Sequence, residues 1–232
     1  GCGDNFGWYV VDPTTPAGQT NLRFLVGGIQ TTLALALTAM VFSITIGLLI
    51  ALMGLSERRA FRAINRGYVE LIRAVPILVM ILWVFYGLPA LVPELRFGPF
   101  VAGVIALAIS DSAFEAEIFR GGIQSIPRGQ TEAAKTVGLS PYQTMRYVVL
   151  PQAIRRILPP LGNQFVYMVK MSALVSVIGV QELTRRANEL NVVEYRPLEI
   201  YTVLVLEYLV LILIISQGVR WLERRMGADE RR

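Results

Sequence analysis

The sequence predicts an all-α integral membrane protein with about five transmembrane helices, its N-terminus outside the membrane and its C-terminus in the cytoplasm. Hydrophobic residues make up 54% of the 232 residues and charged residues only 17%. That charged fraction is well below the roughly 25% usual for a soluble domain. The hydrophobic residues also form long blocks, and most basic residues lie between those blocks. Together these observations favour a membrane protein over a soluble one.

The predicted spans follow from length, because a helix needs about 20 mainly apolar residues to cross the hydrocarbon. Two uncharged stretches, 24–56 and 74–93, predict the first two spans. Three further spans are predicted at about 97–120, 153–180 and 198–222. These three contain charged residues: Asp111, Glu115 and Glu117 in the third, Lys170 in the fourth and Glu207 in the fifth.

The orientation follows from the distribution of Lys and Arg over the connecting segments. The first loop, the third loop with its flanks, and the C-terminal segment together hold fifteen basic residues, and the opposite side holds five. The basic side is expected in the cytoplasm. An odd number of spans satisfies this arrangement, in agreement with the count of five.

Several classes of function are disfavoured by composition. The chain has no His and a single Cys, Cys2, so imidazole catalysis, a thiolate metal cluster and an internal disulfide are excluded. No Gly-x-x-x-x-Gly-Lys-Ser/Thr phosphate-binding loop is present. The net charge of +5 is explained by membrane flanks better than by nucleic-acid binding. Because the chain begins at Gly1, we expect its start to be truncated or tag-derived.

The third loop, about 126–150, carries the most informative local pattern, two short helices joined by a sharp turn. Pro127 suits the first turn of a helix. Gly138 suits a left-handed residue that ends this helix. Ser140 with Gln143 predicts a capping box at the start of a second helix, which Pro151 would stop or kink.

Such a loop admits two interpretations. As a docking knob, it would use the small residues Ala133, Ala134 and Gly138 for close approach of another protein, with Glu132 accepting hydrogen bonds. As an amphipathic connector, it would only lie against the bilayer surface. Physical reasoning alone leaves both open.

The sequence Glu132-Ala133-Ala134, followed by Gly138 and Leu150-Pro151, resembles the EAA loop of bacterial ABC importer permeases. The resemblance implies the type I ABC importer permease fold and a loop that couples to a separate ATPase subunit. The implied coupling residues are Glu132, Ala133, Ala134, Gly138, Gln130 and Ser140. It also implies a transport subunit that is not an enzyme. No cofactor is expected in this chain, because ATP and Mg²⁺ would bind to the partner ATPase.

The resemblance extends from about residue 27 to 221 and is similar in detail to the polar amino-acid subgroup. The similar segments are 68–79, 113–130, 148–170 and 176–187. The implied partners are an ABC ATPase, a second permease that is either identical or paralogous, a periplasmic substrate-binding protein and membrane lipid, with no nucleic acid. The implied organisation is a periplasmic segment 1–21, a transmembrane domain 22–223 and a basic cytoplasmic tail 224–232.

Charged residues at bilayer depth cost at least about 2.5–3.5 kcal/mol each, so they face a cavity or a partner. Asp111 and Lys170 would together match the two charges of an amino acid, with Glu115 one turn beyond Asp111. The competing interpretation is an internal Asp111–Lys170 or Glu207–Lys170 pair that holds the bundle, and we favour it. With Ser172, Glu70 and Arg73, the residues Asp111, Glu115 and Lys170 form the candidate translocation path.

Three further features have both a structural and a functional interpretation. Glu70 and Arg73 have the spacing of an intrahelical ion pair, with a gate as the alternative. Pro159-Pro160 is expected to kink or break the fourth span, either as a hinge or as local unwinding that neighbouring helices fill. The charged stretch 182–199 either contacts a substrate-binding protein or is a solvated loop.

Three rival functions remain. An importer of another small polar solute would keep the same subunit architecture. A secondary transporter or channel would bring its own coupling-ion or pore residues and would need no ATPase. A membrane enzyme would need a nucleophile and base, and no such constellation stands out in the sequence.

Overall fold

In a computed structural model, residues 7–227 are described, and this part of the chain is helical with no strand. The predicted truncated or tag-derived start, Cys2, and the last residues of the basic tail lie outside the described residues. The all-α prediction is therefore confirmed for residues 7–227.

Eleven α-helices, with short 3₁₀ and π segments between some of them, make up the described chain. They are α1 (Pro16–Val26), α2 (Gly28–Leu55), α3 (Arg59–Ala74), α4 (Ile77–Leu82), α5 (Leu88–Leu91), α6 (Pro99–Gln124), α7 (Arg128–Thr136), α8 (Pro141–Thr144), α9 (Leu150–Met171), α10 (Leu183–Glu194) and α11 (Pro197–Gly227). The 3₁₀ segments are Trp8–Val11, Pro93–Leu95 and Ser172–Ile178, and the π segments are Trp83–Gly87 and Met145–Val149.

Four helical segments in the described chain are long and apolar enough to cross a membrane: Pro16–Leu55, Pro99–Gln124, Pro141–Ile178 and Pro197–Arg225. A fifth crossing is present if the bent pair Arg59–Ala74 and Ile77–Leu91 counts as one span. The predicted first, third, fourth and fifth spans each overlap one of the long segments.

The predicted second span, 74–93, differs from the structure in form. It is not one straight helix. The chain bends between α3 and the helical segment Ile77–Leu91, whose axes meet at 95°. Val75 at the break has an extended backbone, φ −90° and ψ 123°. The cause is Pro76, whose ring disfavours the helical conformation of the residue before it.

The prolines of the fourth span, in contrast, do not interrupt its helix. The helix α9 passes through Pro159 and Pro160 without a break, so that part of the prediction is wrong. Pro151 does not stop the helix either, because α9 begins at Leu150 and continues beyond it. A π-helical turn, Met145–Val149, directly precedes α9, and such a turn absorbs local irregularity in hydrogen bonding.

The described chain divides into two compact units. The first unit consists of the residues up to Ala39, together with Ile77–Leu107 and Tyr167–Ile215. Its core contains Val10, Val11, Leu25, Ala187, Leu190 and Ile200. Here the backbone N–H of Leu183 donates to the buried Thr32 hydroxyl over 3.3 Å. Gly28 permits this approach, since a Cβ there would lie 2.7 Å from the Leu183 nitrogen.

The second unit consists of Met40–Pro76, Ala108–Val166 and the residues from Ser216 onward. Its core contains Ala51, Val69, Ala116, Phe119, Ile126, Val149, Ala153 and Ile157. These residues come from α2, α3, α6 and α9 and from both ends of the third loop. The loop is therefore built into the core of this unit.

Candidate functional site

The third loop contains the two predicted short helices, α7 and α8. Helix α7 begins at Arg128, and Pro127 is its N-cap residue. Pro127 therefore lies one position before the first helical turn, in which the sequence had placed it. Proline fits there because it has no N–H to leave unsatisfied and because it stops the helix from extending backwards.

The C-terminal end of α7 is a Schellman motif, which ends the helix sharply. Gly138 has φ +84°, as predicted for a left-handed residue. Its N–H donates to the carbonyl of Lys135 over 3.0 Å, and the N–H of Leu139 donates to the carbonyl of Ala134 over 3.1 Å. These are the two hydrogen bonds that define the motif, and they satisfy carbonyls that the helix end leaves free.

The start of α8 is fixed by the predicted capping box. The backbone N–H of Gln143 donates to the Ser140 hydroxyl over 3.3 Å, and the backbone N–H of Ser140 donates to Oε1 of Gln143 over 2.8 Å. Pro141 occupies the first helical position. The turn between α7 and α8 is thus determined at both ends by local hydrogen bonds.

The outer face of the loop carries small, large apolar and charged side chains together. Glu132 and Ala133 are exposed, and so are the large side chains of Val137 and Tyr142, at 75% and 70%. Ala134, however, is buried. The prediction that Ala134 faces a partner is therefore wrong, because helical periodicity turns it toward the chain itself.

The loop is anchored at both ends within the second unit. Ile126 before α7 and Val149 before α9 both belong to the apolar core. Arg156 on α9 donates from Nη1 to the carbonyl of Ser125 over 2.6 Å. Gln130 on α7 accepts from Nε2 of Gln152 at 3.5 Å. Hydrogen bonds to α9 therefore hold both α7 and the segment that precedes it.

Asp111 lies in a buried polar cluster of the second unit. The Ser43 hydroxyl donates to Oδ2 of Asp111 over 2.7 Å, and the side-chain amide of Gln164 donates to Oδ1. Nearby on α6, the Ser112 hydroxyl is 2.6 Å from that of Tyr68 and donates to a backbone carbonyl. Both oxygens of Asp111 are thus satisfied inside the bundle, which fits a structural role.

Glu115 is fully buried, and neither carboxyl oxygen has a hydrogen-bond partner in the described chain. It packs where α2 and α6 approach closely. A Cβ on Gly47 of α2 would lie 2.5 Å from Cβ of Glu115 and 3.0 Å from the carbonyl oxygen of Ser112.

Within residues 7–227, no group of three or more Cys, Asp or Glu side chains is arranged to hold a metal ion.

Two other predicted path residues belong to the first unit. Lys170 is exposed and lines an apolar groove with Tyr208 and Leu209 of α11. Ser172 is buried, and its hydroxyl donates to the carbonyl of Val169 over 2.7 Å, a local helix contact. Both carboxyl oxygens of Glu207 lack a partner in the described chain, so the alternative Glu207–Lys170 pair is not formed.

Glu70 and Arg73 do not form the predicted ion pair in the described chain. The Arg73 guanidinium instead lies 4.9 Å from the ring centroid of Phe114. Both residues line a cleft of about 460 Å³ in the second unit, with Arg62, Arg66 and Arg120. Sequence reasoning missed this cleft. The available signal was the spacing of positions 62, 66, 70 and 73, which share one face of a helix.

The stretch 182–199 is less solvated than its charge suggested. Glu182 is fully buried and is the N-cap residue of α10, accepting from the backbone N–H groups of Thr184 and Arg185 over 2.9 and 2.6 Å. Burial raises the pKa of the Glu182 carboxyl, against the lowering effect of these hydrogen bonds. Glu199 is also buried and accepts from the backbone N–H of Gly7. These two carboxylates are structural.

The helices and the anchored loop define an α-helical, multi-pass membrane protein with a rigid knob between two membrane-length segments. Residues 43–228 match the family described as binding-protein-dependent transport system inner membrane component. The chain belongs to this family of transport subunits and is therefore an inner-membrane protein.

Relatives of known name cover nearly the whole chain. The glutamine transport system permease protein GlnP of Escherichia coli strain K12 is 37% identical over 95% of this chain and 98% of its own length. The nopaline transport system permease protein NocM of Agrobacterium fabrum is 34% identical over 88% of this chain and 90% of its own length. The predicted resemblance to ABC permeases is confirmed.

A solved structure shows the same fold. The crystal structure of an amino acid ABC transporter with histidines matches with a TM-score of 0.84 and 41% identity, over 89% of this chain and 96% of that one. The MetNI methionine ABC transporter in an inward-facing conformation shares the fold, with a TM-score of 0.74 at 22% identity. The predicted type I importer fold is confirmed.

Proposed function

We propose that this chain is the permease subunit of an ATP-driven importer that translocates a polar amino acid. The substrate would arrive from a periplasmic binding protein and pass between this permease and a second, identical or paralogous one. Support for the substrate class comes from relatives whose names specify glutamine and nopaline transport, and from the likeness to a solved amino acid transporter.

The anchored loop is the single observation that carries this proposal. In our proposal α7 fits a cleft on the ATPase subunit, with Glu132, Ala133 and Val137 on its exposed face. The Schellman motif and the capping box keep the loop stiff. A loop that deforms would dissipate the motion of the ATPase, whereas a stiff loop moves its flanking helices as rigid bodies.

The proposed orientation places the loop in the cytoplasm, where the ATPase would be. Fifteen Lys and Arg residues lie on that side against five on the other. The N-terminus then lies outside and the C-terminus inside. ATP and Mg²⁺ would be bound by the partner ATPase, and this chain would contribute no catalytic group to hydrolysis.

The test is uptake of radiolabelled amino acids into proteoliposomes that contain the permease, its ATPase and its binding protein. We expect Glu132→Arg to assemble normally but to lose at least about tenfold in ATP-driven uptake, because a reversed charge on the docking face opposes binding to the ATPase. The matched control is Glu57→Arg, which reverses an exposed charge in the connection between α2 and α3.

Each outcome has a defined meaning. Loss of uptake in Glu132→Arg with normal uptake in Glu57→Arg supports coupling through the loop. Uptake without any ATPase would contradict the proposal and favour a secondary transporter. Uptake that requires ATP but accepts no amino acid would move the substrate to another small polar solute.

A further inference from the structure

An exposed group of aromatic side chains lies where α10 meets α11 in the first unit. We call it the aromatic patch and define it by the rings of Trp8, Tyr9 and Tyr195. All three side chains are exposed, and Tyr195 is 81% exposed. Neither the proposed coupling loop nor the buried polar clusters include these residues. Grouped exposed rings indicate a contact surface, whereas single exposed apolar residues do not.

Contacts between distant parts of the chain bring the three rings together. The backbone N–H of Gly7 donates to the buried carboxylate of Glu199, near the start of α11. The guanidinium carbon of Arg196 lies 5.8 Å from the centroid of the Tyr9 ring. Arg196 directly follows Tyr195 in the chain. The N-terminal turn and the corner between α10 and α11 therefore form one surface.

The 3₁₀ turn that carries Trp8 and Tyr9 is firmly packed. Val10, in the same turn, is buried in the core of the first unit together with Leu25. Nδ2 of Asn21 also donates to the carbonyl of Val10 over 3.0 Å. The rings of Trp8 and Tyr9 are therefore held at the surface by a packed turn.

The backbone at Tyr195 is unusual as well. Tyr195 is the only non-glycine residue with a positive φ in the described part of the chain, with φ 52° and ψ 41°. This left-handed conformation is disfavoured for a residue with a Cβ, and glycine is its usual occupant. Tyrosine therefore does not improve the local backbone, and its exposed ring indicates a use for the side chain itself.

The length of α11 places the patch relative to the bilayer. Arg220 is the first basic residue of α11, and basic residues mark the edge of the hydrocarbon. About 33 Å of helix separates Leu198 from Arg220, close to the roughly 30 Å thickness of the hydrocarbon. Leu198 therefore lies near the opposite edge, and Tyr195 lies just beyond it, at the depth of the lipid headgroups.

The exposed surface of α11 continues from this depth into the membrane. Leu198, Tyr201 and Val205 are all exposed and recur at the spacing of one helical face. An apolar face of this kind on a spanning helix suits lipid chains, which are themselves apolar. The aromatic patch thus lies at the end of a surface suited to lipid.

We propose that the aromatic patch lies in the lipid headgroup layer and anchors the N-terminal turn and the start of α11 at the membrane surface. Trp and Tyr are enriched at this depth, because each ring is apolar while its N–H or O–H group can meet water. Arg196 beside Tyr9 suits the same layer, since a guanidinium binds phosphate. This inference depends neither on the transported substrate nor on the ATPase.

A soluble protein partner fits the patch less well. In the headgroup layer the rings are already covered by lipid, so a protein could cover them only after lipid had left. The predicted periplasmic segment 1–21 would, by this proposal, return to the bilayer surface at residues 8 and 9.

The test is fluorescence quenching of the full chain in phosphatidylcholine vesicles. Trp83→Phe and Trp221→Phe leave Trp8 as the only tryptophan. A nitroxide on the lipid headgroup should reduce Trp8 emission about twofold, and a nitroxide midway along the acyl chain should reduce it less, because interfacial Trp lies at headgroup depth. Tyr195→Trp, with Trp8→Phe added, should give the same pattern.

The matched control is Ala17→Trp in the chain that lacks the three natural tryptophans. Ala17 is exposed in the first turn of α1, about 12 Å along the helix from Leu25 and away from α2. Neither nitroxide should quench this variant, whereas iodide in the water should. Equal lipid quenching of Trp8 and of the Ala17→Trp variant would overturn the proposal, and so would quenching of Trp8 by iodide alone.

A second measurement covers the case in which the tryptophan replacements prevent folding. Trp8→Cys and Ala17→Cys, each with Cys2→Ser, carry a spin label and keep Trp83 and Trp221. Relative to a water-soluble nickel chelate, oxygen concentrated in the lipid should reach the label at position 8 more often than the label at position 17. Equal ratios would overturn the proposal. Shielding of position 8 from the chelate only after the binding protein is added would make the patch a protein contact and overturn it as well.

Discussion

Replacing Gly138 by Ala tests whether the turn that ends α7 is required for docking of the ATPase. Gly138 has φ +84°, and a Cβ at this position would meet no heavy atom within 4 Å. Crowding therefore contributes nothing to the effect. What remains is the cost of placing an L-residue with a Cβ in the left-handed region, roughly 1–2 kcal/mol.

This cost acts on the two hydrogen bonds of the Schellman motif, which need the left-handed residue. A cost of about 1–2 kcal/mol shifts a conformational equilibrium by a factor of about 5–30. If the ATPase binds only the intact turn, and that turn is only marginally favoured in the wild type, we expect Gly138→Ala to raise the Kd for the purified ATPase by up to about 5–30-fold. Surface plasmon resonance on the permease in nanodiscs measures this value.

Two matched variants make the result specific. Gly129→Ala changes another glycine with open space around it, but one inside α7, where Ala favours the helix by roughly 0.5–1 kcal/mol. Its affinity for the ATPase should not fall. Gly138→Asn should recover part of the affinity, because Asn tolerates the left-handed region. Wild-type affinity in Gly138→Ala would refute the reasoning, and so would an equal loss in Gly129→Ala.

Two further predictions concern stability. Gly47→Ala should lower the Tm in detergent, because its Cβ would lie 2.5 Å from that of Glu115 and such overpacking costs about 1–3 kcal/mol. The control is Gly67→Ala, whose Cβ would meet no atom within 4 Å. Equal Tm values for the two variants would contradict the close contact at Gly47. Glu182→Gln should change how stability depends on pH. Because burial raises the pKa of Glu182, its charge destabilises the folded state above that pKa and the penalty disappears as pH falls toward about 4.3, the usual value. The Tm of the wild type should therefore rise relative to that of Glu182→Gln as pH is lowered, and a constant difference would contradict this.

Most of the architecture could be predicted from the sequence because hydropathy and turn chemistry act locally. The uncharged stretch 24–56 predicted a span that the structure places in α1 and α2. The turn at Gly138 and the capping box at Ser140 depend on residues within five positions of each other, so their geometry follows from composition alone.

Most of the failures depend on neighbours that are distant in sequence. Spacing suggested that Arg73 pairs with Glu70, but the ring of Phe114 is available to it from α6. Small size suggested that Ala134 faces a partner, but the loop turns it inward. Prolines 159 and 160 predicted a kink or a break, but α9 continues through them without a break, because neighbouring groups can compensate for proline in a transmembrane helix.

By itself, the sequence determined the membrane class, the number of apolar segments and the shape of the third loop. Bilayer thickness, backbone hydrogen bonding and glycine stereochemistry act on a few consecutive residues, so no partner is needed to state their consequences. Only the tertiary structure decided which charged side chains find a hydrogen-bond partner within the chain. Asp111 is satisfied by Ser43 and Gln164, whereas Glu70 has no partner in the described chain. Burial and pairing of a charge depend on which helices meet, and that is a property of packing rather than of local sequence.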